Sequence, residues 1–203
     1  MNKGFSNNNN GHYSEVFCRI DSLMESHDIV MVAIDGHCGA GKSTLAAAIG
    51  DLYDCNIFHM DHFFLRPELR TTERLEETGG NVDYVRFREE VISGLQSRRE
   101  FQYRIFDCRK MAMSEHITVL PRKLNIIEGA YSMHPTLIDN YALKVFLKTD
   151  EEEQQKRILN RNGEAMLRQF LTKWIPMENL YFEKMRIEEK SDLVFMGEAL
   201  ICK

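Results

Sequence analysis

The sequence lacks the features that mark several classes of protein. Its longest clean apolar run, residues 29–34, is far shorter than the ~20 residues of a membrane helix, so no membrane association is expected. It has no excess of positive charge: 26 Lys and Arg stand against 31 Asp and Glu, and the net charge of −5 argues against a nucleic-acid-binding surface. The five cysteines form no CxxC pair, which predicts neither a disulfide framework nor a zinc site and favours a reducing, cytoplasmic compartment.

The chain is long enough to bury a core as one large domain, and hydrophobic residues make up 43% of it. Residues 1–14 are mostly polar and Asn-rich, and we expect a flexible lead followed by a single domain at 15–203. Short apolar segments predict strands at 29–34, 56–60, 124–127, 143–147 and 192–195. Helical patterns lie between most of them, at 42–52, 84–95, 150–161 and 177–189. This alternation predicts an α/β fold with a parallel sheet.

A phosphate-binding loop is predicted directly after the first strand, where residues 36–44 read GHCGAGKST and satisfy the pattern GxxxxGK followed by Ser or Thr. Glycines allow the backbone to turn its N–H groups towards phosphate oxygens, and the following helix adds positive potential at its N-terminus. Lys42 would reach the terminal phosphates, and the Ser43 hydroxyl would bind magnesium. The predicted nucleotide-binding residues are Gly36, His37, Cys38, Gly39, Ala40, Gly41, Lys42, Ser43 and Thr44. The alternative is a glycine-rich turn that binds nothing.

Two carboxylates follow predicted strands. Asp61 comes after the second strand and, if that strand neighbours the first, could orient or deprotonate an acceptor hydroxyl; the alternative is a capping role. Glu128 closes the third strand, where an oxygen ligand for magnesium is expected in phosphate-loop enzymes, although a partly exposed strand-end Glu is the plainer interpretation. His59 and His62 are three residues apart on a strand end, so we expect them to diverge rather than to bind a metal.

Arg157 and Arg161 are four residues apart and share one face of a predicted helix. They could stabilise the charge of a transferring phosphoryl group, or form a solvated face paired with Glu153. Both interpretations stay open from the spacing alone.

Together these segments resemble the uridine kinase and phosphoribulokinase family of phosphate-loop kinases. The resemblance rests on GHCGAGKST, HMDHFF, IIEGAY and the arginine pair, and it covers residues 29–195. It implies a P-loop NTPase fold with a five-stranded parallel sheet flanked by helices, a lid around 150–174, ATP as donor and a small-molecule hydroxyl as acceptor. It also implies a Mg²⁺ site and a catalytic set: Mg²⁺ on Ser43, Asp61 and Glu128, with Asp61 as base and Lys42, Arg157 and Arg161 completing the catalytic residues.

The sequence departs from that family at the acceptor site. Uridine kinases carry a Tyr-Asp-Phe segment followed by a His and an Arg, whereas this chain has Phe-Asp-Cys at 106–108 and methionines, Met111 and Met113, at the two later positions. Asp107 could still hold sugar hydroxyls. Asp83 would cap the next helix or contact substrate hydroxyls.

Three arginines in the loop beyond Asp61, namely Arg66, Arg70 and Arg74, could meet an anionic acceptor or remain solvated loop charges. With no room for a second domain, acceptor recognition is expected from the inserts 63–83 and 102–121.

The leading hypothesis is therefore an ATP- and Mg²⁺-dependent kinase acting on a nucleoside or a related metabolite. Alternatives are a kinase for another acceptor, such as pantothenate or a sugar derivative, and a nucleotide-dependent switch or binding module. No Asn-Lys-x-Asp guanine signature follows the loop, which weakens a GTPase. A homo-oligomer is compatible with the sequence.

Overall fold

The computed structural model describes residues 12–197 and 199–201. Of the predicted flexible lead at 1–14, residues 1–11 lie outside the described part, and Ser14 begins the first helix. The described strands are β1 (Val30–Gly36), β2 (Cys55–His59), β3 (Phe101–Asp107), β4 (Ala112–Val119), β5 (Leu124–Glu128), β6 (Leu143–Lys148), β7 (Leu193–Met196) and β8 (Ala199–Ile201). The described α-helices are α1 (Ser14–Ser26), α2 (Lys42–Leu52), α3 (Thr72–Glu76), α4 (Tyr84–Phe87), α5 (Ser93–Ser97), α6 (Glu151–Gln169), α7 (Ile175–Lys184) and α8 (Ile187–Lys190).

The central sheet has the strand order β2-β5-β1-β6-β7-β8. The first five strands are parallel, which confirms the α/β prediction and all five predicted strands. The expectation of a five-stranded sheet is wrong by one strand, because β8 pairs antiparallel with β7 after a turn at Gly197, whose φ is 59°. Ala199–Ile201 is too short to give a periodic signal.

The all-apolar run in β1 is explained by its place in the middle of the sheet. Its side chains alternate between two cores: Val30, Val32 and Ile34 pack on the face covered by α1 and α2, and Met31 and Ala33 pack on the other. Both faces of β1 are therefore buried, so its sequence does not alternate between apolar and polar residues. In the described part of the chain, no helix combines the length and apolar character needed to cross a bilayer.

Three predicted helices differ from the observed ones. The segment 84–95 is helical through Ser97 but contains a π-helical stretch, Arg88–Ile92, between α4 and α5. The helix at 150–161 extends to Gln169 and is kinked at Gly163, whose φ is 79°. The segment 177–189 forms two helices, α7 and α8, because Arg186 adopts a left-handed conformation with φ 53°.

A hairpin formed by β3 and β4 lies outside the central sheet. Its strands pair antiparallel from Phe101↔Val119 to Asp107↔Ala112, and a register shift falls between Arg104 and Phe106. Tyr103 and Phe106 bury their rings, and Tyr103 belongs to the core that also covers Met31 and Ala33. This hairpin therefore brings the insert 102–121 towards the carboxyl edge of the sheet.

Candidate active site

The phosphate loop connects β1 to α2 at the carboxyl edge of the sheet. Gly36 has φ 135°, and a Cβ on it would lie 2.0 Å from the backbone oxygen of Leu147 on the neighbouring strand β6. Only glycine fits there, because any side chain would collide with backbone that cannot move. Gly41, with φ 95°, opens α2. The loop therefore starts and ends at positions that require glycine.

Lys42 folds over the loop. Its Nζ donates to the backbone oxygens of Gly36 at 2.7 Å and His37 at 2.8 Å. No carboxylate pairs with Lys42 within the described residues, so its charge is available to phosphate oxygens. His37 turns its ring away from the loop: Nδ1 lies 3.2 Å from the Thr149 oxygen, and burial lowers its pKa, which keeps the ring neutral.

The middle of the loop is held from two later helices. The backbone N–H of Cys38 donates to Glu178 Oε2 at 3.1 Å, and Gln154 Nε2 donates to the Cys38 oxygen at 2.9 Å. Burial also raises the pKa of the Cys38 thiol to about 12, so the thiol stays protonated and poorly reactive. Glu178 is itself buried, which raises its pKa. The loop conformation is therefore coupled to α6 and α7.

A fully buried carboxylate, Asp35, anchors the base of the site. Oδ1 accepts from the backbone N–H of Gly36 at 2.8 Å and Tyr131 at 3.2 Å, while Oδ2 accepts from the Met133 N–H at 2.9 Å and the Tyr181 hydroxyl at 2.9 Å. Desolvation by burial raises its pKa from 3.8 to about 6, although these donors oppose the shift. Asp35 ties the phosphate loop to the segment after Glu128 and to α7.

The predicted metal ligands lie close together. The Ser43 hydroxyl donates to Glu128 Oε2 at 3.1 Å, and Asp61 is near enough for the Glu128 charge to raise its pKa, after a larger contribution from burial. Asp61 is open to solvent through the cavity, and the surrounding walls still desolvate its carboxylate. Two neighbouring carboxylates and a hydroxyl supply the oxygen ligands that Mg²⁺ prefers. The set contains only two carboxylates, and no group of three or more His, Cys, Asp or Glu side chains is placed to hold a metal among the described residues.

Asp61 reaches this position by a different route from the expected one. β2 does not neighbour β1; β5 lies between them, and His59 faces Glu128 across the β2–β5 pair. His59 Nδ1 lies 2.5 Å from Glu128 Oε1, and this contact raises the histidine pKa. The expected divergence of His59 and His62 is wrong, because the chain turns into a 3₁₀ helix at Met60–Phe63 and brings the rings to 5.2 Å.

The two predicted arginines have unequal surroundings. Arg157 donates to Glu153 Oε1 at 2.8 Å and to the Gly39 oxygen at 3.0 Å. Arg161 donates only to Asn162 Oδ1 at 2.8 Å within the described chain, and its charge lowers the pKa of Asp61 as a smaller contribution. Both line the cavity, but Arg161 is the one without a carboxylate partner there.

One cavity of about 880 Å³ joins these groups. Its walls include the phosphate loop from Cys38 to Thr44 together with Asp61, Glu128, Arg157 and Arg161. Its volume is in the range of small-molecule sites. The structure therefore brings the predicted donor, metal and transfer residues to one place.

Two predicted acceptor residues do not line this cavity. Asp83 is buried beside it, where it caps α4 by accepting from the Arg86 N–H at 3.1 Å and lies 3.7 Å from the guanidinium Nε of both Arg66 and Arg86. Asp107 accepts the backbone N–H groups of Arg109 at 2.8 Å and Lys110 at 3.2 Å in the hairpin turn. The structure shows both as capping residues, and contact with substrate stays a prediction.

Sequence reasoning did not single out Asp35, Asn81 or Glu178 as functional. Asp35 is a charged residue at the end of an otherwise apolar strand, and this position in the sequence already indicates a special role. Glu178 and Asn81 lie far in sequence from the phosphate loop, and no local pattern marks them. Tyr131 is a further residue that only the structure identifies: it is a buried aromatic residue with a positive φ of 71°.

The chain has the same fold as two solved structures of proteins described as kinases. A possible uridine kinase from Bacillus stearothermophilus superposes with a TM-score of 0.63 at 18% sequence identity, over 89% of this chain and 99% of that one. A provisionally assigned fructose transport system kinase from Silicibacter sp. TM1040 superposes with a TM-score of 0.65 at 19% identity, over 94% and 100% of the two chains.

Sequence comparison finds no matching protein-family model and no matching curated protein. The structural likeness, at such low identity, shows the fold. It agrees with the resemblance to phosphate-loop kinases that the sequence motifs indicate.

Proposed function

We propose that this protein is an ATP- and Mg²⁺-dependent kinase that transfers the γ-phosphate to a hydroxyl group of a small metabolite, in the manner of a uridine kinase. One observation carries the proposal: Asp61 opens into the same cavity as Lys42 and Arg161. A carboxylate near the terminal phosphate is what an acceptor hydroxyl requires, whereas a nucleotide switch needs no such base.

The proposal assigns residues both to the phosphate donor and to the acceptor hydroxyl. The loop N–H groups and Lys42 hold the donor phosphates, and Arg161 faces the transferring group, where it can stabilise the charge that spreads over the equatorial oxygens. Ser43, Asp61 and Glu128 would hold Mg²⁺, which would neutralise part of the negative charge on the donor phosphates. Asp61 also lies where it can accept the proton of the attacking hydroxyl. Burial and the nearby Glu128 raise its pKa, which makes it a better proton acceptor.

The test is an acceptor panel combined with Asp61→Asn. Uridine, cytidine, pantothenate, glycerate, fructose and fructose 6-phosphate are incubated with ATP and Mg²⁺, and acceptor-dependent ADP release and phosphorylated product are measured. For an accepted substrate, Asp61→Asn should lower kcat by about 10³-fold, because the hydroxyl loses its base. ATP binding should be kept, since the loop, Lys42 and two of the three proposed magnesium ligands are intact.

Asp51→Asn provides the matched control. It makes the same chemical change on the exposed surface of α2, away from the cavity, and should leave kcat and ATP affinity unchanged. An Asp61→Asn enzyme as active as the Asp51→Asn control would remove Asp61 from the mechanism. A panel in which no acceptor raises ADP release above the basal rate would contradict the kinase proposal.

A further inference from the structure

Part of the cavity wall comes from segments other than the phosphate loop, and we call this part the acceptor end. It is lined by residues from two segments inserted between β2 and β5: Phe64, Leu65, Arg70, Leu75, Asn81, Cys108 and Met111. Most of this wall is apolar. The two polar side chains that stand out in it are Arg70 and Asn81, and each has unsatisfied hydrogen-bonding capacity.

Arg70 differs from the arginines of its own loop and of α4. Arg66, Arg74 and Arg86 each lie within 4 Å of a carboxylate, at Glu68, Glu77 and Glu90 respectively. Arg70 has no carboxylate partner among the described residues; its Nε donates to the Leu65 oxygen at 2.8 Å. That bond fixes the guanidinium and leaves its terminal nitrogens free to bind a ligand.

Arg70 shares the cavity with the proposed base. Arg70, Cys108 and Asp61 all line it, and the Cys108 thiol is near enough to both charged groups for them to influence its pKa. A molecule that presents a hydroxyl to Asp61 can therefore place another of its groups against Arg70. Its middle would contact apolar side chains such as Leu75 and Met111.

Asn81 provides an independent observation. Its Oδ1 is buried in the cavity wall and accepts no hydrogen bond, although its side-chain amide contacts the Tyr131 hydroxyl. An unsatisfied buried acceptor costs free energy unless a ligand donates to it. The acceptor end therefore offers one cationic fork and one hydrogen-bond acceptor to its ligand.

We propose that the phosphate acceptor is an anionic hydroxy compound, a hydroxy acid or a hydroxylated phosphate ester, whose anionic group pairs with Arg70. An N–H or O–H group of the same molecule donates to Asn81 Oδ1. This inference rests on the proposed kinase function and adds the substrate class and its specificity residue. A planar guanidinium binds carboxylate and phosphate through two parallel hydrogen bonds, so it discriminates strongly against a neutral group.

The experiment compares acceptors that differ only in charge. The pairs are glycerate and glycerol, pantothenate and its alcohol analogue, and fructose 6-phosphate and fructose, with uridine as a neutral nucleoside. In at least one pair the anionic member should have a kcat/KM about tenfold or more above its neutral partner. If one of the two carboxylate pairs shows this preference, the site takes a carboxylate. If the phosphate pair shows it, the site takes a phosphate ester.

Arg70→Gln should remove that preference. We expect the kcat/KM of the anionic acceptor to fall by about 10- to 100-fold, mainly through the acceptor KM, while the KM for ATP changes by less than about threefold. Arg109→Gln is the matched control: it removes the same charge from the nearby hairpin turn, does not line the cavity and should change neither value. Asn81→Ala should raise the acceptor KM without restoring use of the neutral member.

Binding measurements separate this inference from the kinase proposal. The same acids are titrated into wild type, Arg70→Gln and Arg109→Gln in the presence of ADP and Mg²⁺. Acids that bind through Arg70 and are never phosphorylated would support the anion site and contradict the kinase proposal. Phosphorylation of neutral acceptors as efficiently as acids would overturn the anion site, and so would an Arg70→Gln variant that behaves like Arg109→Gln.

Discussion

The two ends of the cavity are formed by different kinds of chemical group, backbone at one end and side chains at the other. The donor end is made of one short stretch, residues 36–44, whose backbone is fixed by buried carboxylates at Asp35 and Glu178. The acceptor end is made of side chains from two distant segments, around 64–81 and 108–111, and its polar groups, Arg70 and Asn81, lie partly unsatisfied. The comparison indicates that the donor end is preformed by packing, whereas the acceptor end gains its partners from the ligand.

This difference also explains which end carries specificity. Backbone N–H groups bind any triphosphate, and their geometry depends on glycine and on the sheet beneath. Side chains such as Arg70 can be exchanged without disturbing the sheet, so they can set the acceptor.

The largest effect is expected from Asp35, the support of the donor end. Burial raises its pKa from 3.8 to about 6, so between about pH 4 and 6 the folded state binds a proton that the unfolded state releases. The free energy of unfolding should therefore fall as pH rises through this window, by about 3 kcal/mol from this group. In Asp35→Asn that contribution is absent, and the pH dependence should be flatter.

Urea unfolding followed by the fluorescence of Trp174, the single tryptophan, measures this at several pH values. Glu178 and Asp61 also have raised pKa values and add slopes of the same sign, so the informative quantity is the difference between wild type and Asp35→Asn. Asp51→Asn should keep the wild-type slope. Equal slopes in wild type and Asp35→Asn would show that the donor end does not depend on this carboxylate.

The contrast between the ends also explains what the sequence could predict. The loop, the five parallel strands and the carboxylates at Asp61 and Glu128 follow from local signals: a contiguous motif, apolar runs and charges at strand ends. The structure confirms the strands and shows the side chains converging. Their roles in catalysis stay predictions that the variants above test.

The acceptor end lies in the two inserts expected from the sequence, 63–83 and 102–121, but the side chains that form it were not predictable. The hairpin β3–β4 brings Cys108 and Met111 beside Arg70, although about forty residues separate them in sequence. Arg66, Arg70 and Arg74 look alike in a polar loop, and only the three-dimensional pairing of Arg66 and Arg74 with carboxylates distinguishes Arg70. Long-range pairing of this kind leaves no periodic pattern in the sequence.

A smaller effect is expected from the two arginines of α6, which both line the cavity. Arg161→Gln should lower kcat by about 10²-fold, because Arg161 lacks a carboxylate partner in the described chain and is available to the transferring group. Arg157→Gln should lower it by less than about tenfold, since Arg157 is engaged by Glu153 and the Gly39 oxygen. Steady-state kinetics with a confirmed acceptor measure both. Equal losses would show that the arginines act as a pair.

The smallest effect is expected from Asp107, at the outer edge of the acceptor end. Its carboxylate accepts the N–H groups of Lys110 and Arg109, which lower its pKa, and an amide oxygen at the same place can accept the same two bonds. Asp107→Asn should therefore change the acceptor KM by less than about threefold and leave kcat unchanged. A rise above about tenfold in that KM, with ATP affinity retained, would show instead that Asp107 contacts the acceptor, as the resemblance to uridine kinases implies. Specificity would then depend on a carboxylate as well as on Arg70, because a negative charge would have to meet substrate hydroxyls beside the anion site.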